Sequence, residues 1–518
     1  MSRNTCCSVR HVSGLIGSLK NILLGLFALA CTSSMAEGAC PVSVQIMSSD
    51  SYRVSVGGSV VKSILPSFFG FNLAAPAFQL SLFDRTKDQV RREIITYMRA
   101  FPGAVYRYPG GTTANLYDWQ DGVGPVTERP RRSLVTWHAP MVNAFGFHEY
   151  LNFVAQVHGE AWLVANLYGN MQGEKPLHIL TASARAWAIE AKQDQAKGMP
   201  SILRWELGNE LYKEPTRWTS AEYNKQALAI AAAIRSADPH GRFVTPLEEY
   251  ATKWWLSYED YNVSLAQALA PYTPDYAQHL YVDGPKVSLI PNALSILCNN
   301  INAISNAGQA DAGYWITEFA AAPTSWQNFN RNSWGSVANM GAALSIADMV
   351  IGLSQIPQVK GAFLHSLTGV GPWSLFYKDS NGVYQPTLPY WALRLLRSTM
   401  LDEVLTTYTQ SPNKGNYAGG YDLRATVLTD ATQQKYALWG VNRANQPINV
   451  QLRIPNLAGR TMKARLTVLH AADLGATDGA AGDSVLPTQE NFSLSFDAVG
   501  NSRLQIPAHA VAALLLSP

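Results

Sequence analysis

Between residues 66 and 400 the chain repeats one unit eight times: a short apolar run, then a stretch with helical spacing. The runs fall at 67–72, 104–108, 161–166, 202–208, 242–248, 276–281, 314–318 and 359–365. Each has the length of a strand and the near-continuous apolar character of one buried on both faces. The stretches between them, such as 181–197 and 220–236, carry helical apolar spacing. The second begins behind a Thr219-Ser220 cap with Glu222 following. Eight buried strands alternating with helices predict a (β/α)8 barrel of the α/β class. After residue 400 the helical spacing stops, and 401–518 give strand-like runs broken by turn signals at Asn413-Lys-Gly, Asp478-Gly and Val499-Gly-Asn. Residues 40–62 alternate apolar and polar (Val42, Val44, Ile46, then Val54 and Val56), as half-buried antiparallel strands do. The expected organisation is a leader at 1–36, N-terminal strands at 37–65, a barrel at 66–400 and a β-sandwich at 401–518. The sandwich is expected to draw on both chain ends. A chain of 518 residues, 47% apolar and 15% charged, has the material for both cores.

In a barrel of this kind functional groups stand at the C-terminal ends of the strands. Those ends carry, in order, Asn72, Arg107, Asn166, Asn209 with Glu210, Glu248 with Glu249, His279 with Tyr281, Glu318 and His365. A single polar residue only marks where a strand leaves the core, but eight in a ring mark a site. Glu210 and Glu318 put two carboxylates on one rim. Facing carboxylates about 5–5.5 Å apart cleave glycosidic bonds, one attacking the anomeric carbon while the other protonates the leaving oxygen. Arg107 and Tyr281 beside Glu318 would lower its pKa, whereas Glu210, facing an anion and poorly solvated, is expected to be raised. Glu206, four residues before Glu210 and one layer deeper, is expected to be paired inside the barrel. Trp119, Trp137, Tyr168, Tyr212, Trp254, Trp255, Trp326 and Trp373 fall in strand-end loops, where flat rings stack on sugars. Two or three of them, Trp119 and Trp373 foremost, are expected to line a cleft.

Other chemistries find no support. A net charge of +3 does not suggest nucleic acid. The histidines form no His-Glu-x-x-His, Gly122-Val-Gly124 runs into Pro125 rather than a third glycine, and no Gly-x-Ser-x-Gly elbow occurs. Neither metal nor cofactor is implied, and the expected partner is a polysaccharide or oligosaccharide. At the N-terminus Arg3, Arg10 and Lys20 precede an apolar run at 22–30, too short to span a bilayer, and Ser34-Met-Ala36 resembles a cleavage site. The expectation is export, secreted or periplasmic, with the mature chain starting near Glu37. Lipid attachment at Cys31 is the competing reading. Cys6, Cys7 and Cys31 go with the leader, which leaves Cys40 and Cys298 as a candidate disulfide in an oxidising compartment.

The short motifs resemble a known group when taken together. Trp205-Glu-Leu-Gly-Asn-Glu210 resembles the fourth strand of clan A glycoside hydrolases, Thr317-Glu318 their seventh-strand nucleophile, and His279-Leu-Tyr281 the His-x-Tyr beside it. The resemblance covers roughly 66–395. It implies that Glu210 is the acid/base, that Glu318 is the nucleophile, that Asn209 holds the sugar 2-hydroxyl and that Arg107 lies near the nucleophile. Asn72, Asn166, His279 and Tyr281 complete the substrate-binding candidates. Within the clan, Arg107-Tyr-Pro-Gly-Gly-Thr112, Tyr117-Asp-Trp-Gln-Asp-Gly-Val-Gly-Pro125 and Glu128-Arg-Pro130 are similar to the α-L-arabinofuranosidases of family 51, whose loop after the second strand shapes the furanose pocket. Two positions depart from that family: Asn72 stands where a glutamate is usual, and Phe319-Ala320 where Trp-Asn usually follows the nucleophile. The Trp205 to Glu210 run also resembles family 79 glucuronidases, and Thr317-Glu-Phe319 family 39 xylosidases. The expectation is an exported retaining glycosidase that releases terminal α-L-arabinofuranosyl residues from polysaccharide. A β-glucuronidase, a β-xylosidase or an endo-acting exopolysaccharide hydrolase is the alternative. A non-catalytic carbohydrate-binding protein is the alternative of another class, and the presence of both Glu210 and Glu318 speaks against it.

Overall fold

The computed structural model describes residues 44–518 except 74–81, 134–139, 214–215, 249–257, 284–288, 323–337, 369–372, 374, 415–419 and 478–484. The expected leader, Cys31, Cys40, Trp137, Glu249, Trp254, Trp255 and Trp326 lie outside the described residues. Cys298 is disulfide-bonded. No helix among the described residues is long and apolar enough to cross a membrane.

Eight parallel strands close into a barrel: β1 (Phe69–Leu73), β2 (Val105–Tyr108), β3 (Glu160–Ala165), β4 (Ile202–Leu207), β5 (Phe243–Pro246), β6 (Asp275–Asp283), β7 (Gly313–Ala322) and β8 (Val359–Thr368). Each of the eight apolar runs becomes one of them. The helices form where the spacing placed them. One runs Leu177–Ala196, and another runs Ser220–Ala237 behind a reciprocal Thr219/Glu222 capping box.

Alternation along the strands fills the lumen in layers. At the bottom, Val105, Trp162, Val164, Val244, Ala277, Trp315 and Phe363 form a small cluster of their own. Trp162 packs edge-on against Trp315 and Phe363, with ring centroids 5.2 and 5.1 Å away. Gly70 is required there, because a Cβ would lie 2.0 Å from the Phe363 ring. Two residues up on the same faces stand Arg107, Thr317, His279 and Asn72, with Glu206 of β4 beside them, so the aromatic plug is the floor of a polar layer.

A ten-stranded sheet holds the two chain ends. Tyr52–Ser63 lies antiparallel to Glu403–Ser411 and parallel to Ile448–Arg453, which inserts the N-terminal strand into the C-terminal module. Residues from both ends of the strand order, Leu494 and Phe492 on one side and Leu504 and Ile506 on the other, pack on one core. The sandwich is therefore one sheet curled over itself. It is joined to the barrel through polar and apolar contacts. Asp348, on the fully buried helix Met340–Ser354, pairs with Arg424 and Arg443 and accepts from Tyr421. Phe69 of β1 meets Trp439 edge-on at 6.1 Å. Lys62 donates to the carbonyls of Leu353, Ile356 and Val359, satisfying acceptors at that helix's C-terminal end.

Candidate active site

The polar layer is organised by one cation. Arg107 is fully buried, and its donors make five hydrogen bonds to four residues. Nε and Nη2 grip the Glu206 carboxylate at 2.7 and 2.8 Å. Nη1 donates to Asn72 Oδ1 at 2.7 Å and to Glu318 Oε1 at 2.8 Å, and Nη2 also reaches Asn209 Oδ1 at 2.8 Å. Burial works against the Arg107 charge, but Glu206 and Glu318 outweigh it and raise its pKa. Trp162 Nε1 and Thr317 Oγ1 donate to the remaining lone pairs of Glu206, at 2.9 and 3.3 Å. The expectation of a paired, structural Glu206 agrees with this arrangement.

Glu318 should face away from the lumen if Trp315 and Thr317 face in. The register explains why it does not. Between Ala277 and His279 on β6 the partner strand β7 advances from Trp315 to Glu318, one residue more than its neighbour. This bulge turns Glu318 into the barrel mouth beside Thr317. There Arg107 holds one carboxylate oxygen and the Tyr281 hydroxyl donates to the other at 2.5 Å, with His279 and His365 each 3.6 Å away. Burial raises the Glu318 pKa. The charges of His279, His365 and Arg107 outweigh it and lower the group to about 2.

Glu210 is placed by a turn rather than a strand. β4 ends at Leu207, Gly208 takes φ +81° and Glu210 φ +47°, both left-handed. Asn115, in the one-turn helix Gly111–Asn115 after β2, braces this turn. Its Nδ2 donates to Asn209 O at 2.5 Å, and its Oδ1 accepts from Asn209 N at 3.0 Å. Lys213 reaches back to Glu210 Oε1 at 2.8 Å, and His279 Nδ1 lies 2.6 Å from the same oxygen. Burial pushes Glu210 up, but Lys213 and His279 more than offset it and the group is lowered. This corrects the expectation of a raised Glu210: the sequence showed the facing anion but not the two cations. His279 is itself lowered by burial and raised more strongly by Glu318 and Glu210. The resting site therefore stores its proton on the imidazole between the two carboxylates. One carboxylate oxygen from each glutamate and a ring nitrogen of His279 lie within 4.8 Å of one another.

Several candidates have other tasks. Asn72 is fully buried, accepting from Arg107 and donating to Thr317 O, so it holds the layer together instead of reaching a ligand. Arg107 is likewise too deep to touch a sugar and acts by positioning the carboxylates. Asn166 uses its side chain on backbone groups of Tyr117, Tyr168 and Gly169, which makes it a loop former. Trp119 stacks on Trp187 at 5.7 Å with planes 6° apart and donates to Ser183 O, so it is packed rather than presented. Asn209 fits its expected role better. Its Oδ1 is taken by Arg107, while its buried Nδ2 has no acceptor among the described residues. Trp373 is partly exposed and lies 5.4 Å from His365 and 6.4 Å from Tyr281, beside Glu318. Glu248 is buried, with Asn262 bound to its backbone N–H and C=O. Sequence reasoning did not single out Asn115 or Lys213. A Glu-x-x-Lys spacing was the only signal for the second.

The fold is a (β/α)8 barrel with two carboxylates close together at its mouth, an arrangement consistent with clan A glycoside hydrolases. A family model described as the alpha-L-arabinofuranosidase 1 domain matches residues 97–279. Over 164 residues, 30% of this chain and 31% of the relative, the sequence is 33% identical to an exo-alpha-(1->6)-L-arabinofuranosidase of Bifidobacterium longum. Over 160 residues it is 30% identical to an intracellular exo-alpha-(1->5)-L-arabinofuranosidase of Streptomyces lividans, covering 29% of this chain and 24% of that one. The matched segment thus spans about a third or less of these relatives. An alpha-L-arabinofuranosidase from Thermotoga maritima superposes with a TM-score of 0.72 over 90% of this chain and all but 1% of its own, at 18% identity, a likeness of fold. The segment at 97–279 is thus similar to the catalytic domain of α-L-arabinofuranosidases, and the fold is like that of solved ones.

Proposed function

We propose that the protein is a retaining glycoside hydrolase that releases terminal α-L-arabinofuranosyl residues from polysaccharide or oligosaccharide. One observation carries the mechanism: a Glu210 oxygen and a Glu318 oxygen lie within 4.8 Å of each other. That closeness suits direct attack by one carboxylate better than the wider carboxyl separation of an inverting site, about 6.5–9.5 Å. The names of the relatives, all exo-acting on arabinofuranosides where a mode is given, support the sugar and the terminal mode.

Glu318 is the nucleophile. Arg107 and Tyr281 keep it ionised and fix both of its oxygens, so its remaining lone pairs face the anomeric carbon. As its bond to carbon forms, the bond to the leaving oxygen breaks and that oxygen takes a proton from Glu210. That proton reaches Glu210 from His279, 2.6 Å away, so the imidazole becomes neutral as the leaving oxygen is protonated. In the second half a water gives its proton to Glu210, its oxygen attacks the anomeric carbon, and Glu318 departs as a carboxylate. The proton returns to His279. Asn209 Nδ2 is the donor aimed at the 2-hydroxyl, and Trp373 forms a wall beside the nucleophile. The leader at 1–36 supports an exported enzyme, although some relatives are named intracellular. N-terminal sequencing of secreted protein should begin near Glu37.

The test is turnover on 4-nitrophenyl α-L-arabinofuranoside, β-D-xyloside, β-D-glucuronide and β-D-galactofuranoside, with the anomer of the first product followed by NMR. Release from the arabinofuranoside with retained configuration is expected. Release from another member would replace the sugar. Inverted product would overturn the mechanism.

A further inference from the structure

We propose that His148, Glu190 and Asp194 form a binding site for a divalent transition metal, zinc-like in its ligand preference, on the outside of the barrel. Glu190 and Asp194 stand four residues apart on one face of the helix Leu177–Ala196. His148 comes from the start of the helix Phe147–Gln156, which follows the long loop after β2. His148 Nε2 lies 3.0 Å from Glu190 Oε1 and 3.1 Å from Asp194 Oδ2, and one ligand atom from each residue lies within 4.8 Å of the others. A tetrahedral zinc with bonds of about 2.0–2.2 Å sets its ligand atoms about 3.3–3.6 Å apart. The two edges to His148, 3.0 and 3.1 Å, are within a few tenths of an ångström of that.

A second observation separates this trio from an ordinary histidine–carboxylate pair. Asp194 is 5% exposed, and its Oδ2 is buried with no hydrogen-bond donor among the described residues, despite its closeness to the imidazole. Its other oxygen takes Lys197 Nζ at 3.0 Å. A proton on His148 Nε2 serves Glu190, with which the hydrogen-bond geometry is good, and leaves Asp194 Oδ2, 3.1 Å away, without a hydrogen bond. Without that proton, three acceptor atoms face one another. A cation among them satisfies all three at once. One imidazole nitrogen and two carboxylate oxygens are a donor set for zinc and its neighbours rather than for calcium or magnesium. The side chains of His148 and Glu190, 34% and 27% exposed, leave a way in and a fourth position open to water.

Such a metal would fasten the helix that ends the long loop after β2 to the helix after β3. Trp187, on which Trp119 of that loop stacks, lies one turn before Glu190. The barrel mouth holds another trio of ligand atoms, Glu210, His279 and Glu318, so the experiment must tell the two apart. The full chain, stripped with a chelator, is titrated with zinc chloride alone by calorimetry. Its zinc content is measured after gel filtration, and its melting temperature with and without zinc. One zinc per chain is expected, with a zinc-dependent rise in melting temperature. His148→Ala and Glu190→Gln should each weaken binding on the order of tenfold or more and abolish that rise, while Glu318→Gln keeps both. Glu190→Gln preserves size and hydrogen bonding, and its circular dichroism spectrum should match the parent, so lost folding cannot stand in for a lost ligand. Three results would overturn the proposal: no stoichiometric zinc in the parent protein, unchanged affinity in both outer variants, or loss confined to Glu318→Gln.

Discussion

Glu206→Gln is the substitution through which the charge layer can be tested most sharply. It keeps the shape of the side chain and removes one charge. Glu206 is fully buried and accepts four hydrogen bonds, Arg107 Nη2 and Thr317 on Oε1 and Arg107 Nε and Trp162 on Oε2. A glutamine has one carbonyl oxygen. Whichever way its amide is turned, an N–H of Arg107 meets the amide nitrogen, another donor. Arg107 also keeps only Glu318 as a counter-ion while remaining fully buried. Removing one partner of a buried ion pair costs about 3–5 kcal/mol, against about 0.5 kcal/mol for an ordinary surface change. We expect an unfolding free energy lowered by that amount, read as a lower denaturation midpoint at an unchanged slope. In residual activity, an Arg107 charge no longer shared with Glu206 should hold Glu318 ionised to still lower pH, moving the acid limb of kcat/KM down. Arg107→Met combined with Glu206→Leu should recover much of the stability, since an apolar pair of similar volume replaces the ions, yet remain inactive. A Glu206→Gln protein within 1 kcal/mol of the parent, with its acid limb unmoved, would show that Glu206 does not anchor Arg107.

The remaining expectations concern the carboxylates and their supports. Glu318→Ala should lower turnover on aryl arabinofuranoside by on the order of 10⁴-fold or more, since no ester can form, and a mutant within tenfold of the parent would remove Glu318 from the mechanism. Glu210→Ala should retain the first step on substrates with good leaving groups and be accelerated by azide, giving a glycosyl azide; absence of azide rescue would count against its acid/base role. His279 is raised above its ordinary 6.5, so its proton is fully present below that value and lost as pH rises through the raised one. The basic limb of kcat/KM, and the stability that the imidazolium contributes, should both decline in that window, and His279→Gln should abolish the limb. Asn115→Ala removes two hydrogen bonds from the Asn209 backbone, each worth about 1 kcal/mol, so kcat should fall roughly 30-fold with KM little changed; an unaltered kcat would make the clamp dispensable.

The barrel was legible because strands buried on both faces are written as continuous apolar runs, and each run proved to be a strand. What the runs could not show is where side chains point once the regular period breaks. Strict alternation that brings Trp315 and Thr317 inward sends Glu318 outward, and only the bulge against β6 reverses this. The spacing of Glu206 and Glu210 suggested two strand residues on one face. The strand instead ends at Leu207, and a left-handed turn delivers Glu210. Asn72, Asn166 and Trp119 had the right residue types in the right places, but backbone groups and neighbouring rings took up their binding capacity first. That competition depends on loop geometry, and loop geometry has no periodic signature. The same holds for His148, Glu190 and Asp194. Two of these share a helical spacing, but the third is 42 residues before Glu190 and reaches them only through helix packing.

The barrel mouth obeys a simple order of charge. Glu206, Arg107, Glu318, His279, Glu210 and Lys213 alternate in sign, with successive contacts of 2.7, 2.8, 3.6, 2.6 and 2.8 Å. Glu210 and Glu318 therefore each sit between two cations, which is why both are lowered although burial alone would raise them. An alternating row also lets one proton move without leaving a bare charge. In the proposed mechanism Glu318 loses its negative charge on becoming an ester, and the proton held on His279 is the one that goes to the leaving oxygen. The row loses one anion and one cation together. When water restores the proton, the carboxylate returns with it. In the proposed retaining mechanism Glu210 has two oppositely timed tasks, acid then base, and a neighbouring imidazole that gains and loses charge in step with Glu318 would supply the timing.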